Sequence, residues 1–277
     1  MDDQRFLKAC ELRDNGKLAE AIDEFRRVAE DTRDPIDRAG VLLNVAATLR
    51  ALSEFTKARE ELRAARSLAA SPDASPALAL RDPRLLQLEV SFDFEEADIC
   101  GYEGKLDEAL TKFDLLLKKY GQTLKEPEFR ESYEMIQARR GFLLVDLGRC
   151  KEALSVLEEA DSFEERKAEI YFYLGHCYLT DREYAKAAEK LVNALRLRLP
   201  RSLEYRAHCE LGIVHYRLKD YVQAKVEFEK SAETADAEYI RQAQIWKWLE
   251  NTSQALGLKD QAERYSRLAI SSDAFKS

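Results

Sequence analysis

The apolar positions along this chain recur in a repeated register. Six segments carry an alanine followed four residues later by a large apolar side chain: Ala21 and Phe25, Ala58 and Leu62, Ala109 and Phe113, Ala153 and Leu157, Ala187 and Leu191, Ala224 and Phe228. Twelve residues before each alanine stands a small residue, namely Ala9, Ala46, Ala97, Gly141, Gly175 and Gly212. Three residues before each stands Leu18, Phe55, Leu106, Cys150, Tyr184 or Tyr221. A four-residue offset places two side chains on one face of an α-helix. The register therefore predicts pairs of helices joined by a tight turn. The small residue on the first helix and the alanine on the second let the backbones approach, and the large residue fills the space towards the next pair. One pair cannot bury its apolar face alone, so the pairs must stack.

Residues 171 to 195, YFYLGHCYLTDREYAKAAEKLVNAL, show the fullest set of these positions. Tyr171, Leu174, Gly175, Tyr178, Tyr184, Ala187, Leu191 and Ala194 occupy the slots of the pattern W-x2-L-G-x2-Y…A-x3-F…A. Leu211, Gly212, Tyr221, Ala224, Phe228 and Ala232 repeat them, and NGKLAEAIDEF and LGRCKEALSVL match in the turn and second helix. In these residues the chain resembles the tetratricopeptide repeat family. The resemblance implies an all-α fold: one α-solenoid over residues 1–277, with about seven antiparallel helix pairs in a right-handed superhelix. The repeats fall near residues 2–35, 39–70, 84–120, 128–162, 163–200, 201–236 and 237–270. The seventh is degenerate, with Glu250 in the small slot and Ser266 in the large one, as expected of a cap with no outer neighbour.

The spacing departs from the family. Successive anchor alanines, continued to Ala262, lie 37, 51, 44, 34, 37 and 38 residues apart, against the usual 34 or so. The longest interval contains SPDASPALALRDPR, whose prolines predict an irregular segment between residues 70 and 85. The next contains Gly121 and Pro127, which predict a second break between residues 119 and 131.

Composition narrows the function. With 44 basic and 52 acidic residues the net charge is −8, which speaks against a phosphate-binding surface and hence against a nucleic-acid partner. The N-terminal residues MDDQRFLKAC lack the pattern of a secretory signal, and no apolar stretch approaches the roughly 20 residues of a membrane span. The five cysteines are widely spaced, odd in number and without a C-x-x-C pair; they fit reduced packing thiols in a cytoplasmic protein. The sequence holds no G-x-S-x-G, H-E-x-x-H or G-x-G-x-x-G motif. His208 and His215 stand seven residues apart on one helix, roughly 10 Å, too far to share a metal. No catalytic residue, cofactor or metal ligand is therefore expected, and the chain reads as a non-enzyme.

The family resemblance places binding on the first helices of the pairs, which line the concave face. Carried over slot by slot, this implies Phe6, Cys10 and Arg13 in the first repeat and Leu43, Ala47 and Arg50 in the second. The peptide-binding set implied further along is Phe94, Asp98, Tyr102, Phe142, Phe172, His176, Arg206, Tyr216 and Arg217. Phe142 and Phe172 would present aromatic anchors, Asp98 would select a basic group, and Arg206 and Arg217 an acidic one. Family members that clamp a C-terminal carboxylate use lysine and asparagine where Phe6 and Cys10 stand, which argues against that ligand. The expected partner is a protein or peptide of unspecified identity bound by a cytoplasmic adaptor, with no membrane insertion and with room for self-association. The alternative is a structural or regulatory subunit that oligomerises through its ends or convex face.

Overall fold

A computed structural model describes residues 3–70, 83–163, 166–234 and 242–274. Among the described residues there are fourteen α-helices, three short 3-10 turns and no strand. The helices are α1 (Asp3–Asp14), α2 (Leu18–Asp31), α3 (Pro35–Ala51), α4 (Phe55–Ala69), α5 (Pro83–Tyr102), α6 (Leu106–Tyr120) and α7 (Arg130–Asp146). They continue as α8 (Cys150–Glu159), α9 (Lys167–Thr180), α10 (Tyr184–Arg196), α11 (Arg201–Arg217), α12 (Tyr221–Thr234), α13 (Gln242–Ala255) and α14 (Lys259–Ala274). The chain forms two compact units, residues 1–147 and 148–277, divided at the turn inside the fourth repeat. In the first unit α1 packs on α2, α3 on α4 and α5 on α6, and the first helices α3, α5 and α7 also meet in succession. In the second unit α9 packs on α10, α11 on α12 and α13 on α14, with α9, α11 and α13 in succession. No described helix is long and apolar enough to cross a membrane.

The repeated slots do what their residue types allow. All six anchor alanines are fully buried, as are Phe25, Phe113, Leu157, Leu191 and Phe228. The two glycine slots of the second unit show a finer arrangement than close backbone approach alone. A Cβ placed on Gly175 would lie 2.7 Å from Cγ of Leu191, and one on Gly212 would lie 2.7 Å from Cδ1 of Phe228. The large residue of the second helix thus fills the space that glycine leaves on its own partner helix. It also reaches the next pair, since the Phe228 ring stacks on Trp248 at 5.6 Å.

Each turn within a pair is closed by one left-handed residue, five positions before the anchor alanine. Gly16, Ser53, Gly104, Gly148, Arg182, Lys219 and Gly257 all have φ between 61° and 81°. At the first turn Lys17 N–H donates to the carbonyl of Leu12 and Gly16 N–H to that of Arg13, each at 2.9 Å. The same pair of bonds recurs at Ser53–Glu54, Gly104–Lys105, Arg182–Glu183, Lys219–Asp220 and Gly257–Leu258. This pairing satisfies the orphan carbonyls at a helix end and requires a left-handed residue there. Asp34 caps α3 instead with its side chain, accepting from the amides of Ile36 and Asp37 at 2.9 Å, and Pro35 occupies the first turn.

The break expected between residues 119 and 131 is present as two 3-10 turns, Thr123–Lys125 and Pro127–Phe129. It is packed rather than loose: Leu124 and Phe129 are buried in the core that includes Phe113 and Ile136. The other expected break, between residues 70 and 85, falls almost wholly at residues 71–82, outside the described residues. The seventh repeat is a complete pair of helices. Glu250 is buried in it, contrary to an outward-facing polar cap position, and its carboxylate accepts from Lys247 at 2.8 Å and Gln254 at 3.2 Å along its own helix.

Candidate functional site

On the first-helix face of the first unit, α5 carries Glu95, Asp98 and Tyr102 at spacings of three and four, hence on one side of the helix. Arg50 from α3 and Arg139 from α7 close on them from either flank. Arg50 contacts Glu95 at 2.7 Å and Asp98 at 3.1 Å. Arg139 Nε donates to the other Asp98 oxygen at 2.6 Å. Glu95 is 4% exposed and Asp98 3%. Both guanidinium groups lie by the Tyr102 ring, at 4.7 and 5.2 Å from its centre, within cation–π range. Two arginines and two carboxylates thus neutralise one another in a nearly water-free layer across three helices.

Burial alone would ease protons off both arginines. It is the largest single effect at each, but Asp98 together with Glu95 at Arg50, and Asp98 together with Tyr102 at Arg139, outweighs it and holds them more firmly charged than usual. Burial pushes the Glu95 carboxyl up, and Arg50 only partly reverses this. Breaking such a group by removing one partner costs about 3–5 kcal/mol, because a buried charge is left alone. The network is therefore a rigid platform.

Beside it runs a trough with two compartments. The smaller, about 270 Å³, has apolar walls from Leu43, Ala47, Val90, Phe94, Met135 and Ile136 and is bordered by Glu95 and Glu131. The larger, about 520 Å³, is walled by Phe6, Ile36, Val41, Leu88 and Phe129 and bordered by Asp37, Arg84 and Glu128. Asn44 and Gln87 line both and form a polar divide between them. Both are held in place: Asn44 accepts from Arg13 at 3.1 Å and donates to the Gly40 carbonyl at 3.0 Å, and Gln87 donates to Ser132 at 2.8 Å. An apolar cavity of this size with a few fixed polar groups is the usual form of a binding site.

The nine residues expected to bind divide between the units. Phe94 lines the smaller compartment, Asp98 sits in the ion network, and Tyr102 is half exposed above it. In the second unit Arg206 lies over the Phe172 ring at 5.1 Å, and His176 Nδ1 is 2.9 Å from Glu210. Tyr216 packs edge-on against Tyr221 and Trp248 at 5.2 and 5.3 Å, while Arg217 is exposed at the end of α11. Phe142 and Phe172 do not present anchors: they are 2% and 0% exposed. The reason is that the C-terminal part of α7, where Gly141, Phe142, Leu143, Leu144 and Val145 are all buried, and most of α9 are covered on more than one side. Ile170, Phe172, Tyr173, Leu174 and Cys177 are buried together on α9, as befits a helix covered on more than one side.

Asn44, Gln87, Glu95, Arg139, Glu131 and Ser132 were not among the expected groove residues. One signal was available. The position fourteen before the anchor alanine holds Asn44, Glu95, Arg139 and Glu210 in the second, third, fourth and sixth repeats, against Leu7 and Tyr173 in the first and fifth. Among the described residues, no group of three or more His, Cys, Asp or Glu side chains stands together as a metal site, and all five cysteines are free thiols.

Comparison with known proteins agrees with this architecture. A tetratricopeptide repeat family model matches residues 139–197 and again residues 178–240. The structure of PilF from Pseudomonas aeruginosa superposes with a TM-score of 0.59 at 16% identity, covering 83% of this chain and 90% of that one. Cut9, from a hetero-tetramer with Hcn1, gives 0.68 at 14% identity over 98% of this chain and 46% of its own. A signal-transduction ATPase with a tetratricopeptide repeat sensor from Pyrococcus horikoshii gives 0.66 at 16% identity, over 98% and 41%. This chain spans less than half of those last two proteins. With the phased slots, the left-handed turns and the stacked helix pairs in place, residues 139–240 match the tetratricopeptide repeat family and the described helices share the fold of its solved members.

Proposed function

We propose that this protein is a binding scaffold rather than an enzyme, and that the trough of its first unit seats a segment of a partner protein. One observation carries this reading. Two adjoining apolar compartments lie on the first-helix face, and the ion network of Arg50, Glu95, Asp98 and Arg139 fixes the helices that wall them. A surface already rigid loses little freedom on binding, so contact energy is retained as affinity. Cut9 serves in a hetero-tetramer, which is in keeping with a scaffold role for this fold.

The test is site-specific photo-crosslinking in the native host. A photoreactive side chain at Ser91, in the trough wall, should yield a discrete adduct with a partner protein. The same group at Leu115, exposed on the second helix of the third pair, should not. Adducts from Leu115 alone would move the interface to the second-helix face, as expected of a subunit that docks through its convex side.

A further inference from the structure

The ions around the trough point to what it takes, an inference that rests on the reading above. Most of them are already satisfied: Glu95 by Arg50, and Asp37 by Arg84 at 3.0 Å. Glu128 and Glu131 differ. Glu128 borders the larger compartment and Glu131 the smaller, and both are solvent-exposed. Among the described residues no cation pairs with either. They stand three residues apart in the chain, one on the turn Pro127–Phe129 and one in the first turn of α7. The positive end of the α7 dipole favours a carboxylate at Glu131. It gives no reason for apolar cavities to open beside both.

The geometry points to a protein segment bearing two bulky apolar side chains with lysine or arginine beside them. One apolar side chain enters each compartment. The backbone crosses the Asn44–Gln87 divide, whose amides can exchange hydrogen bonds with peptide groups. The cationic group settles between Glu128 and Glu131, in water, where it adds selectivity and salt dependence more than raw affinity. An acidic segment of the same shape is repelled there.

The experiment uses the full chain and a phage-displayed library of random dodecapeptides. Selected peptides should share paired bulky apolar residues and an adjacent Lys or Arg. A dye-labelled peptide from that pool, followed by fluorescence polarisation, should bind more weakly as salt is raised. The double variant Glu128→Lys with Glu131→Lys should weaken it about tenfold. Ala47→Trp, which fills the smaller compartment, should abolish binding while circular dichroism stays unchanged. Peptides blocked by Ala47→Trp but indifferent to salt and to charge reversal would overturn the basic-ligand inference and leave the trough reading standing. Peptides indifferent to Ala47→Trp would remove the trough itself. A library that yields no binder, or a dimer of this chain that Ala47→Trp dissolves, would also overturn the inference, the second in favour of another copy as occupant.

Discussion

Gly212→Ala tests the central packing device of these repeats. The added methyl carbon would stand 2.7 Å from both Cδ1 and Cε1 of Phe228 and 3.0 Å from its Cγ. Carbon atoms prefer about 3.5–4.0 Å, so the ring must retreat by roughly 1 Å. It has nowhere to go, being fully buried and stacked at 5.6 Å on Trp248 of the next pair. Overpacking of this kind costs about 1–3 kcal/mol, while alanine gains about 0.8–1 kcal/mol over glycine within a helix. The net expectation is a loss of up to about 2 kcal/mol. Gly40→Ala supplies the control, because Gly40 also lies inside a first helix. Its added carbon would meet only Leu88 Cδ2 at 3.7 Å, an ordinary contact. Only the propensity gain then remains, and stability should rise by about 0.5–1 kcal/mol. Urea unfolding followed by circular dichroism reads both. A Gly212→Ala protein as stable as the parent, or a Gly40→Ala protein equally weakened, would refute the account of the slot.

Two further outcomes follow from the turns and from the second unit. Arg182 and Lys219 hold left-handed backbone that costs an L-residue about 1–2 kcal/mol, and both side chains are exposed. After allowance for the greater freedom of glycine in the unfolded chain, Arg182→Gly and Lys219→Gly should each raise stability by about 0.5–1 kcal/mol in the same urea assay. Burial would push the Glu227 carboxyl up, but hydrogen bonds from His208 at 2.7 Å and Lys230 at 2.8 Å outweigh it and hold it below its ordinary value. Its stabilisation is therefore fully present above the ordinary glutamate range, about pH 4.3, and is lost as pH falls through the depressed folded value. Glu227→Gln should be less stable by about 1–2 kcal/mol at neutral pH, with the difference closing as pH falls below the ordinary glutamate range in thermal melts; a gap that stays constant on acidification would contradict the assignment.

The helix pairs were legible because packing repeats: Ala21, Ala58 and their successors must be small wherever a second helix crosses its partner. The exposure of a first-helix side chain was not legible in the same way. Phe142 and Phe172 are apolar whether they meet a ligand or a neighbouring helix, and only the degree of cover on α7 and α9 decides between these. Arg139 was missed because, among the other charged residues of α7, it reads as solvent-facing until its partner Asp98, forty-one positions earlier, is brought alongside. The turns were half legible. Glycine announces a left-handed residue at Gly16, Gly104, Gly148 and Gly257, while Ser53, Arg182 and Lys219 adopt the same backbone unannounced.

The ion network has a consequence for how the array keeps its order. The alanine, small and large slots are nearly alike in the first six pairs, so packing alone would let one of these stand in for another. The third pair is different, since Asp98 must find both Arg50 before it and Arg139 after it. The sixth pair carries Ile213 where the third carries Asp98, eleven positions before the anchor alanine in each. Moved into third place, it would leave each of the two guanidinium groups short of a carboxylate. The network thus works as an address: it tells otherwise interchangeable modules which of them belongs in the middle of the first unit, and a shuffled chain would fail there even with every apolar contact intact.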